Sequence, residues 1–456
     1  MAGVTRQRPG RRSRRRRSAG RRVTVAGVFK EGYEHGYKQG VTAGRESFNT
    51  LFEGTSIIIP TYNKKDYLQL CIESIARHTD LPYEIIVIDN ASTDGTAEYL
   101  KSVSGQIRYR ILETNHGFAG AVNQGLMMAK GQTILLLNND TLVTPRWLDN
   151  MLQCLNSDSR IGMVGPVTNY ISGEQRIDVP YESVDDMLPF AEAFNQCDPA
   201  KWQRTDRITG FCLLFRRELL ERTGYFDEGY VVGNYEDDDY NIRVRLQGFE
   251  LALARDTFIH HFGSISMKAL GDQFMEVNNE NERYYLTKWG NPHALVYEAR
   301  EAASRMGDAS AGWPPNGETG FYPSNTFVKG LGDTVYWISE GQRHPVAGEV
   351  HAPVVRLSQL ELKRWPIGAQ VAAAEAEAVW RLVPNEPMTG GSALASAPDG
   401  TLYYVESGMR RRVASQHAAE AWGLLDKPQA AFTSDTLMSL PEGLPVIAPI
   451  RIVQRL

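Results

Sequence analysis

Three short runs of aliphatic residues punctuate the first third of the chain. Ser56-Ile-Ile-Ile59 stops at Pro60, Glu84-Ile-Ile-Val-Ile88 stops at Asp89-Asn90, and Thr133-Ile-Leu-Leu-Leu137 stops at Asn138-Asn-Asp140. Between them the apolar positions fall at helical spacing, from Asp66 to His78, from Gly95 to Val103 and from Ala119 to Lys130. Alternation of strand and helix predicts an α/β unit. Strands apolar on both faces predict a sheet covered on both sides and therefore mostly parallel. Ligands of such sheets bind beyond the carboxyl ends of the strands. Polar clusters stand at those three ends: Pro60-Thr-Tyr-Asn63, Asp89-Asn-Ala-Ser-Thr-Asp94 and Asn138-Asn-Asp140.

Further along, the pattern changes. Gly312-Trp-Pro-Pro-Asn-Gly317 is rich in turn formers and predicts a linker over 301–324. Beyond it, Asp333-Thr-Val-Tyr-Trp-Ile-Ser-Glu-Gly-Gln-Arg-His-Pro-Val-Ala347 aligns with Gly400-Thr-Leu-Tyr-Tyr-Val-Glu-Ser-Gly-Met-Arg-Arg-Arg-Val-Ala414. The two stretches end alike, at Leu362-Lys-Arg-Trp-Pro-Ile-Gly368 and Leu437-Met-Ser-Leu-Pro-Glu-Gly443. Each predicts a β-hairpin turning at Glu-Gly or Ser-Gly, then a helix and a Pro-x-Gly turn, so residues 325–456 are expected to be two tandem repeats in a small α+β region. Ala372–Ala378 between them is a strong helix former. No constellation for chemistry stands out in the repeats, which are expected to bind something or to pack on the rest.

Composition adds little to this picture except at the amino end. Apolar residues at 42% and charged residues at 23% of 456 describe an ordinary globular chain. No run approaches the roughly 18 apolar residues of a membrane span, and no apolar segment follows the first charges as in a secretory signal. The four cysteines, Cys71, Cys154, Cys197 and Cys212, lack any metal-finger spacing and are expected to be reduced, in a cytoplasmic protein. Residues 1–22, however, hold ten arginines and no acid, so the net charge of −5 leaves about −15 on the remainder. Such a tail is expected to be disordered. It either solubilises the chain or touches an anionic surface, such as the inner membrane face. No aromatics interleave it, and no specific nucleic acid is expected as a partner. Glycines recur at 32, 36, 40 and 44, which on a helix makes one small-residue stripe. Residues 1–50 are thus expected to be a basic tail with a Gly/Tyr-rich segment.

The acidic residues carry the chemistry. Glu236-Asp-Asp-Asp239 opens the amphipathic segment Tyr240–Leu246. Acids suit a helix start, but four in a row exceed what a cap requires and suggest a metal ligand or proton acceptor. Asp140, at a strand end, is placed to hold a metal. Asp89 could accept hydrogen bonds from a base or ribose, or could simply cap the following turn. His260-His261 follows the apolar run 250–254.

These stretches, taken together and in order, resemble the inverting glycosyltransferase family two, whose fold is GT-A. The resembling segments are Ser56–Asn63, Val87–Thr96, Asn115-His-Gly-Phe-Ala-Gly-Ala-Val-Asn-Gln-Gly125, Leu137–Thr141, Gly210–Arg217 with Gly224-Tyr-Phe-Asp-Glu228, Glu236-Asp237, and His261–Ser264. The resemblance covers residues 54–270 and implies a glycosyltransferase domain over 54–300. It implies a nucleotide-sugar site at Pro60, Thr61, Tyr62, Asn63, Asp89, Asn90, Asn115, Gly117, Asn123 and Asn139. It implies a divalent metal, Mn²⁺ or Mg²⁺, on Asp140 and His261 with Asn138, and a catalytic pair in which Asp237 is the base beside Glu236. Asn138 stands where the family usually has the first Asp of Asp-x-Asp, a form that resembles rhamnosyltransferase-like branches. By family tendency the donor is a UDP- or dTDP-sugar, and the acceptor is the hydroxyl of a glycan, a lipid-linked sugar or a protein, in surface or spore glycan synthesis. The arginine-rich leader with its Gly-Tyr-x-x-Gly segment, and the paired Tyr…Gly…Arg stretches, resemble extensions found on bacterial surface-glycan proteins.

Two other classes compete. A nucleotidyltransferase would carry a Gly-rich basic loop where Pro60-Thr-Tyr-Asn-Lys-Lys65 stands. A non-catalytic carbohydrate-binding scaffold with a degenerate transferase domain is supported by Asn138 and opposed by the intact Glu236-Asp237.

Overall fold

The aliphatic run at 56–59 offers no polar position to solvent, and it becomes the middle of an eight-stranded sheet in the computed structural model of the chain. The structure describes residues 50–454 apart from 104, 106, 264–272, 306–313, 383–390 and 431, together with 32, 35, 36, 38–40 and 42. The strands are β1 (Phe52–Thr61), β2 (Tyr83–Asp89), β3 (Arg108–Ile111), β4 (Gly131–Leu137), the short β5 (Thr141–Leu142), β6 (Ile161–Val167), β7 (Trp202–Thr205), β8 (Cys212–Arg216), β9 (Glu250–Phe258) and the short β10 (His260–His261). The large sheet runs β3-β2-β1-β4-β8-β6-β9-β7, and β5 pairs with β10 apart from it. β1 lies parallel to β2 and β4, with Ile57 opposite Ile85 and Leu135. Only β8 and the edge strand β7 run against their neighbours. The architecture is the expected α/β GT-A type with a mainly parallel sheet.

Alternate residues of each central strand face opposite cores. Ile58, Ile86, Ile134 and Leu136 pack on one side, and Ile57, Ile59, Val87, Leu135 and Leu137 on the other. All are fully buried. At about 1.5–3 kcal/mol for each such side chain, this double burial is why no polar position interrupts the runs. The flanking helices are α1 (Lys65–His78), α2 (Thr96–Ser102), α3 (Gly117–Met128), α4 (Trp147–Asn156), α5 (Met187–Phe194), α6 (Arg217–Thr223), α7 (Glu236–Leu246), α8 (Gln273–Trp289) and α9 (Pro292–Arg305). Helix α3 approaches β1 closely because position 125 is glycine: a Cβ there would strike Ile58.

Residues 326–412 add two small sheets. One contains the hairpin of Val335–Ser339 and Gln342–Ala347, the other the hairpin of Leu402–Glu406 and Met409–Arg412. Both turn through left-handed pairs, Glu340-Gly341 and Ser407-Gly408. The amide of Arg343 donates to the Pro366 carbonyl and Gly368 donates back to Arg343. Arg410 stands in the same relation to Pro441 and Gly443. The alanine-rich stretch is helical over Ala373–Arg381.

The expected linker is different from its expectation. Helix α9 continues to Arg305, and Gly317–Phe321 forms a 3₁₀ turn in which Gly317, Glu318, Thr319 and Phe321 are buried. This stretch packs on α6: Arg222 donates to the Pro314 carbonyl at 2.6 Å, and a Cβ at Gly317 would meet the Arg222 backbone.

One hydrophobic core joins the two halves. Ile242 and Leu246 of α7, Trp289 and Leu295 share it with Phe321, Val328, Tyr404, Trp422 and Val446. The carboxyl end then returns to the sheet, where Ile450 is buried in the core beside β1. Phe52–Leu456 is accordingly one compact unit, and Met1–Leu51 is another. In the latter, Gly32, Gly36 and Gly40 lie in helical, exposed backbone. The arginine-rich residues 1–22 lie outside the described residues. Among the described residues no helix is long and apolar enough to cross a membrane, and all four cysteines are free thiols.

Candidate active site

The register of the sheet brings the polar strand ends together. Thr61 at the end of β1 sits opposite Asp89 at the end of β2. The chain then turns left-handed at Asn63 and Lys64. Asn63 holds the neighbouring loop: its amide donates to Ser92 Oγ at 2.7 Å, and its Oδ1 accepts from the Thr93 amide at 2.9 Å. Pro60 and Thr61 are buried, whereas Tyr62 is exposed. Asp89 is fully buried. Its Oδ1 accepts from the Ser92 amide at 2.9 Å, while its Oδ2 is buried without a hydrogen-bond partner. A buried carboxylate oxygen left unpaired is costly, and a donor arriving with a ligand would satisfy it.

Asn90 joins this loop to the start of α3. Its amide donates to Asn115 Oδ1 and to the Gly117 carbonyl, and its Oδ1 accepts from the His116 amide. Gly117 has φ +70, a conformation that favours glycine. Asn139 donates to Thr61 Oγ1 at 2.7 Å. Asn123 departs from its expected place at the nucleotide. It is wholly buried, and its amide is occupied by the Phe226 backbone and Glu228 Oε1. It ties α3 to the 225–228 turn.

At the end of β4, Asp140 and His261 meet through the β5–β10 pair. His261 Nε2 lies 3.1 Å from Asp140 Oδ1, and both side chains are buried. The other ring nitrogen, Nδ1, lies 2.8 Å from the Tyr170 carbonyl. A carbonyl only accepts, so Nδ1 donates its hydrogen there, and Nε2 is the nitrogen left facing the Asp140 carboxylate. A histidine that donates one N–H to a backbone carbonyl and points the other nitrogen at a carboxylate has the orientation of a metal ligand. Phe211 stacks on the ring at 5.4 Å and fixes its plane. Asn138 is half-buried on the same turn. Among the described residues no group of three or more His, Cys, Asp and Glu side chains surrounds a common metal position. Asp140 and His261 are thus a pair, with Asn138 two residues before Asp140 on the same turn. Adjacent His260 is different: burial lowers its pKa to about 4, and Tyr181 holds its Nδ1 at 2.7 Å.

The acidic cluster divides sharply by environment. Asp237, at the start of α7, accepts from the Gly210 amide at 2.6 Å and the Asp238 amide at 2.9 Å. Burial and the charge of Asp238 raise its pKa to about 6. Burial, reinforced by the charge of Asp237, raises Glu236 well above the ordinary glutamate range, and its Oε2 is buried without a partner. Asp238 is held by Arg207 at 2.5 and 3.1 Å. Asp239 points inward to Lys288 at 2.6 Å and Trp289 Nε1 at 2.8 Å. Beyond the 207–210 wall lies a cleft of about 570 Å³ lined by Ser172, Gln175, Arg204, Arg207, Arg245 and Arg300 among others.

Residues 56–224 match the profile described as Glycosyl transferase family 2. They form a glycosyltransferase domain. The matched stretch contains the strand ends and Asp140 but ends before Glu236, Asp237 and His261, whose assignment rests on the geometry above. Among curated relatives, Protein CgeD of Bacillus subtilis is 23% identical over 411 residues, 86% of this chain and 80% of its own length. Chondroitin synthase of Escherichia coli is 22% identical over 240 residues, 46% of this chain and 35% of its own length. The chain thus spans most of the first and about a third of the second. Among solved structures, the mannosyltransferase PcManGT of Pyrobaculum calidifontis in complex with GDP-Man and Mn²⁺ aligns at a TM-score of 0.36 and 20% identity, over 56% of this chain and 77% of that one.

Several residues of the transferase site gave no signal in the sequence. Tyr170 acts through its carbonyl, which any residue supplies. Arg207 belongs to no motif. Phe211 lies within the Gly210–Arg217 segment, where its stacking on His261 could have been suspected from proximity in the family pattern alone.

Proposed function

We propose that the chain transfers a sugar from a nucleoside diphosphate to an acceptor hydroxyl, with inversion at the anomeric carbon. The observation that carries this reading is Asp237, a buried carboxylate poised near pH 6 that accepts from the Gly210 amide, next in sequence to Phe211, whose ring stacks on His261. In the proposed step, Asp237 takes the proton of the acceptor hydroxyl. The hydroxyl oxygen bonds to the anomeric carbon as the bond from that carbon to the diphosphate oxygen breaks. No side chain forms a covalent intermediate, so one displacement inverts the centre. Asp89 Oδ2, Asn63 and Asn90 belong to the nucleotide side, with Pro60, Thr61, Tyr62, Asn115, Gly117 and Asn139 shaping it.

Asp140 and His261, with Asn138, would hold a divalent cation, Mn²⁺ or Mg²⁺. Bound there, it would neutralise charge on the departing diphosphate. The donor is read as a UDP- or dTDP-sugar, and Asn138 favours a rhamnosyltransferase-like branch. The arginine-lined cleft beside Asp238 is the place for the acceptor, a glycan, lipid-linked sugar or protein in surface or spore glycan synthesis. Residues 325–456 are read as two copies of one repeat, supported by the matching Arg-Pro-Gly bonds of the two hairpins. A cytoplasmic enzyme held at an anionic membrane face by residues 1–22 fits the charge of that segment.

The test is release of nucleoside diphosphate from a panel of nucleotide sugars with Mn²⁺ and candidate acceptors. Turnover of one donor is expected, with a loss of about 10²–10⁴-fold in Asp237→Asn and of Mn²⁺-dependent nucleotide binding in Asp140→Ala. Full activity in Asp237→Asn would remove the base assignment.

A further inference from the structure

The segment between Gly229 and Glu236 is the most strained part of the transferase domain. Val232 has φ +61, Asn234 +83 and Tyr235 +73. For a β-branched residue this is a genuine outlier, and such conformations persist only where surrounding structure over-determines them. Valines 231 and 232 are also exposed, at 43% and 37%, so no hydrophobic burial holds them in place.

One side chain makes most of the hydrogen bonds to the segment, beside a longer one from Asn234 to Asn278 at 3.4 Å and the packing of Tyr235 on Tyr285. Asn281, on α8, is fully buried, and all its polar capacity is turned to this loop. Its Oδ1 accepts from the Val231 amide at 2.8 Å. Its Nδ2 donates to the carbonyls of Val231 and Gly233 at 2.9 Å and of Asn234 at 3.1 Å. The loop, so held, touches both halves of the site. The Val232 carbonyl accepts from the Phe118 amide at 2.6 Å, and Gly117 lies so close that a Cβ there would stand 3.2 Å from the Val232 nitrogen. Four residues after Val232 the chain enters α7 at Glu236-Asp237, and the Tyr235 carbonyl accepts from the Asp239 amide at 2.9 Å.

We propose that Asn281 is a positioning residue, clamping the strained 231–235 segment so that the start of α3 and the carboxylate of Asp237 are set at one fixed separation. Its place far from the strand-end motifs, on a helix beyond the matched family stretch, is why no motif marks it. The proposal rests on Asp237 acting as the base. Asn281 gathers three carbonyls and an amide of a loop whose two valines are exposed, so what it fixes is the course of that loop's backbone. Position matters here because a shift of about 1 Å at a reacting group can cost on the order of 100-fold in rate.

The experiment uses the full chain. Asn281→Ala and the near-isosteric Asn281→Asp are compared with the parent by hydrogen exchange and by kinetics on the nucleotide sugar selected by the panel above. Exchange at the amides of Val231 and Phe118 is expected to quicken at least about tenfold, while amides of residues 56–61 are unchanged. The value of kcat is expected to fall about 30-fold or more, with KM for the donor within about threefold. Val232→Gly, which removes the strain, is expected to restore about tenfold of that loss when combined with Asn281→Ala. Unchanged kcat in a folded Asn281 variant overturns the proposal, as does failure of both variants to fold, which would make Asn281 purely structural. Activity surviving in Asp237→Asn would sink the base assignment alone, leaving the exchange and kcat readouts to judge Asn281 separately.

Discussion

Two neighbouring carboxyls at the start of α7 illustrate how a single residue's surroundings decide its chemistry. Asp237 has two backbone amides to stabilise its charge, and Glu236 has an orphaned oxygen. Hydrogen bonding to the charged form lowers a carboxyl pKa and burial raises it. Asp237 settles near 6, and burial carries Glu236 well above the ordinary glutamate range. Activity should therefore fall about tenfold per pH unit below pH 6, as the base takes up its proton, and pH–rate profiles of kcat/KM would show the limb. The same shift has a consequence for stability. The folded pKa lies above the ordinary aspartate value, so the folded state binds the proton more tightly than the unfolded chain. Stability from this group is fully present below about pH 4 and is lost as pH rises through 6. Asp237→Asn, though inactive, should be more stable than the parent at pH 8, on the order of 1–3 kcal/mol by urea denaturation. The difference should vanish at pH 4. An unchanged difference at both pH values would mean the carboxylate is not strained by its site.

At the scale of elements, what could be read from the chain was what local physics dictates. β1, β2 and β4 were legible because a strand buried on both faces tolerates no polar residue, and α1 to α3 because each lies between two such runs. The antiparallel sense of β8 was not, since Cys212-Leu-Leu-Phe215 is as apolar as any parallel strand. Nor was the pairing of His261 with Tyr170, which uses a carbonyl. Asn123 was misplaced because a motif gives position without direction, and its amide turns to Phe226 and Glu228 instead of the rim. Glycine 125 shows the converse, a motif residue explained by packing. Alanine would gain up to about 1 kcal/mol in helix propensity but would force its methyl into Ile58, at about 1–3 kcal/mol for overpacking. Gly125→Ala should be less stable by about 1–2 kcal/mol in denaturant titrations. A more stable variant would show that α3 can move away from β1 at no cost.

For the whole molecule, the question is whether residues 317–454 are an appendage or part of the transferase. The buried charges argue for the second. Arg243, midway along the helix that begins at Glu236, is fully buried and donates to Glu318 at 2.6 and 2.7 Å, and to the Thr223 and Tyr225 carbonyls. Glu318 lies beyond the family stretch, in the turn that a sequence reading takes for linker. Lys288 bridges Asp227 and Asp239 in the same layer, and the Arg451 amide donates to Asp227. The carboxyl end completes the seam: Gln454 bonds to Gln124 and the Gly120 carbonyl of α3 and to Glu228. Such a pair is weak evidence of stabilisation, because desolvation offsets its attraction, but breaking one partner leaves a buried charge unpaired at about 3–5 kcal/mol. Glu318→Ala should therefore lower the stability of the whole unit by that order and weaken the transferase with it, since α7 carries Asp237. Adding Arg243→Met, which removes the stranded cation, should recover much of the loss. Denaturation followed at once by tryptophan fluorescence and by activity decides the matter. A single shared transition, shifted by Glu318→Ala and restored in the double variant, is the expected result. Two separate transitions, with activity tied to only one, would make the carboxyl-terminal region a module that merely rests on the enzyme.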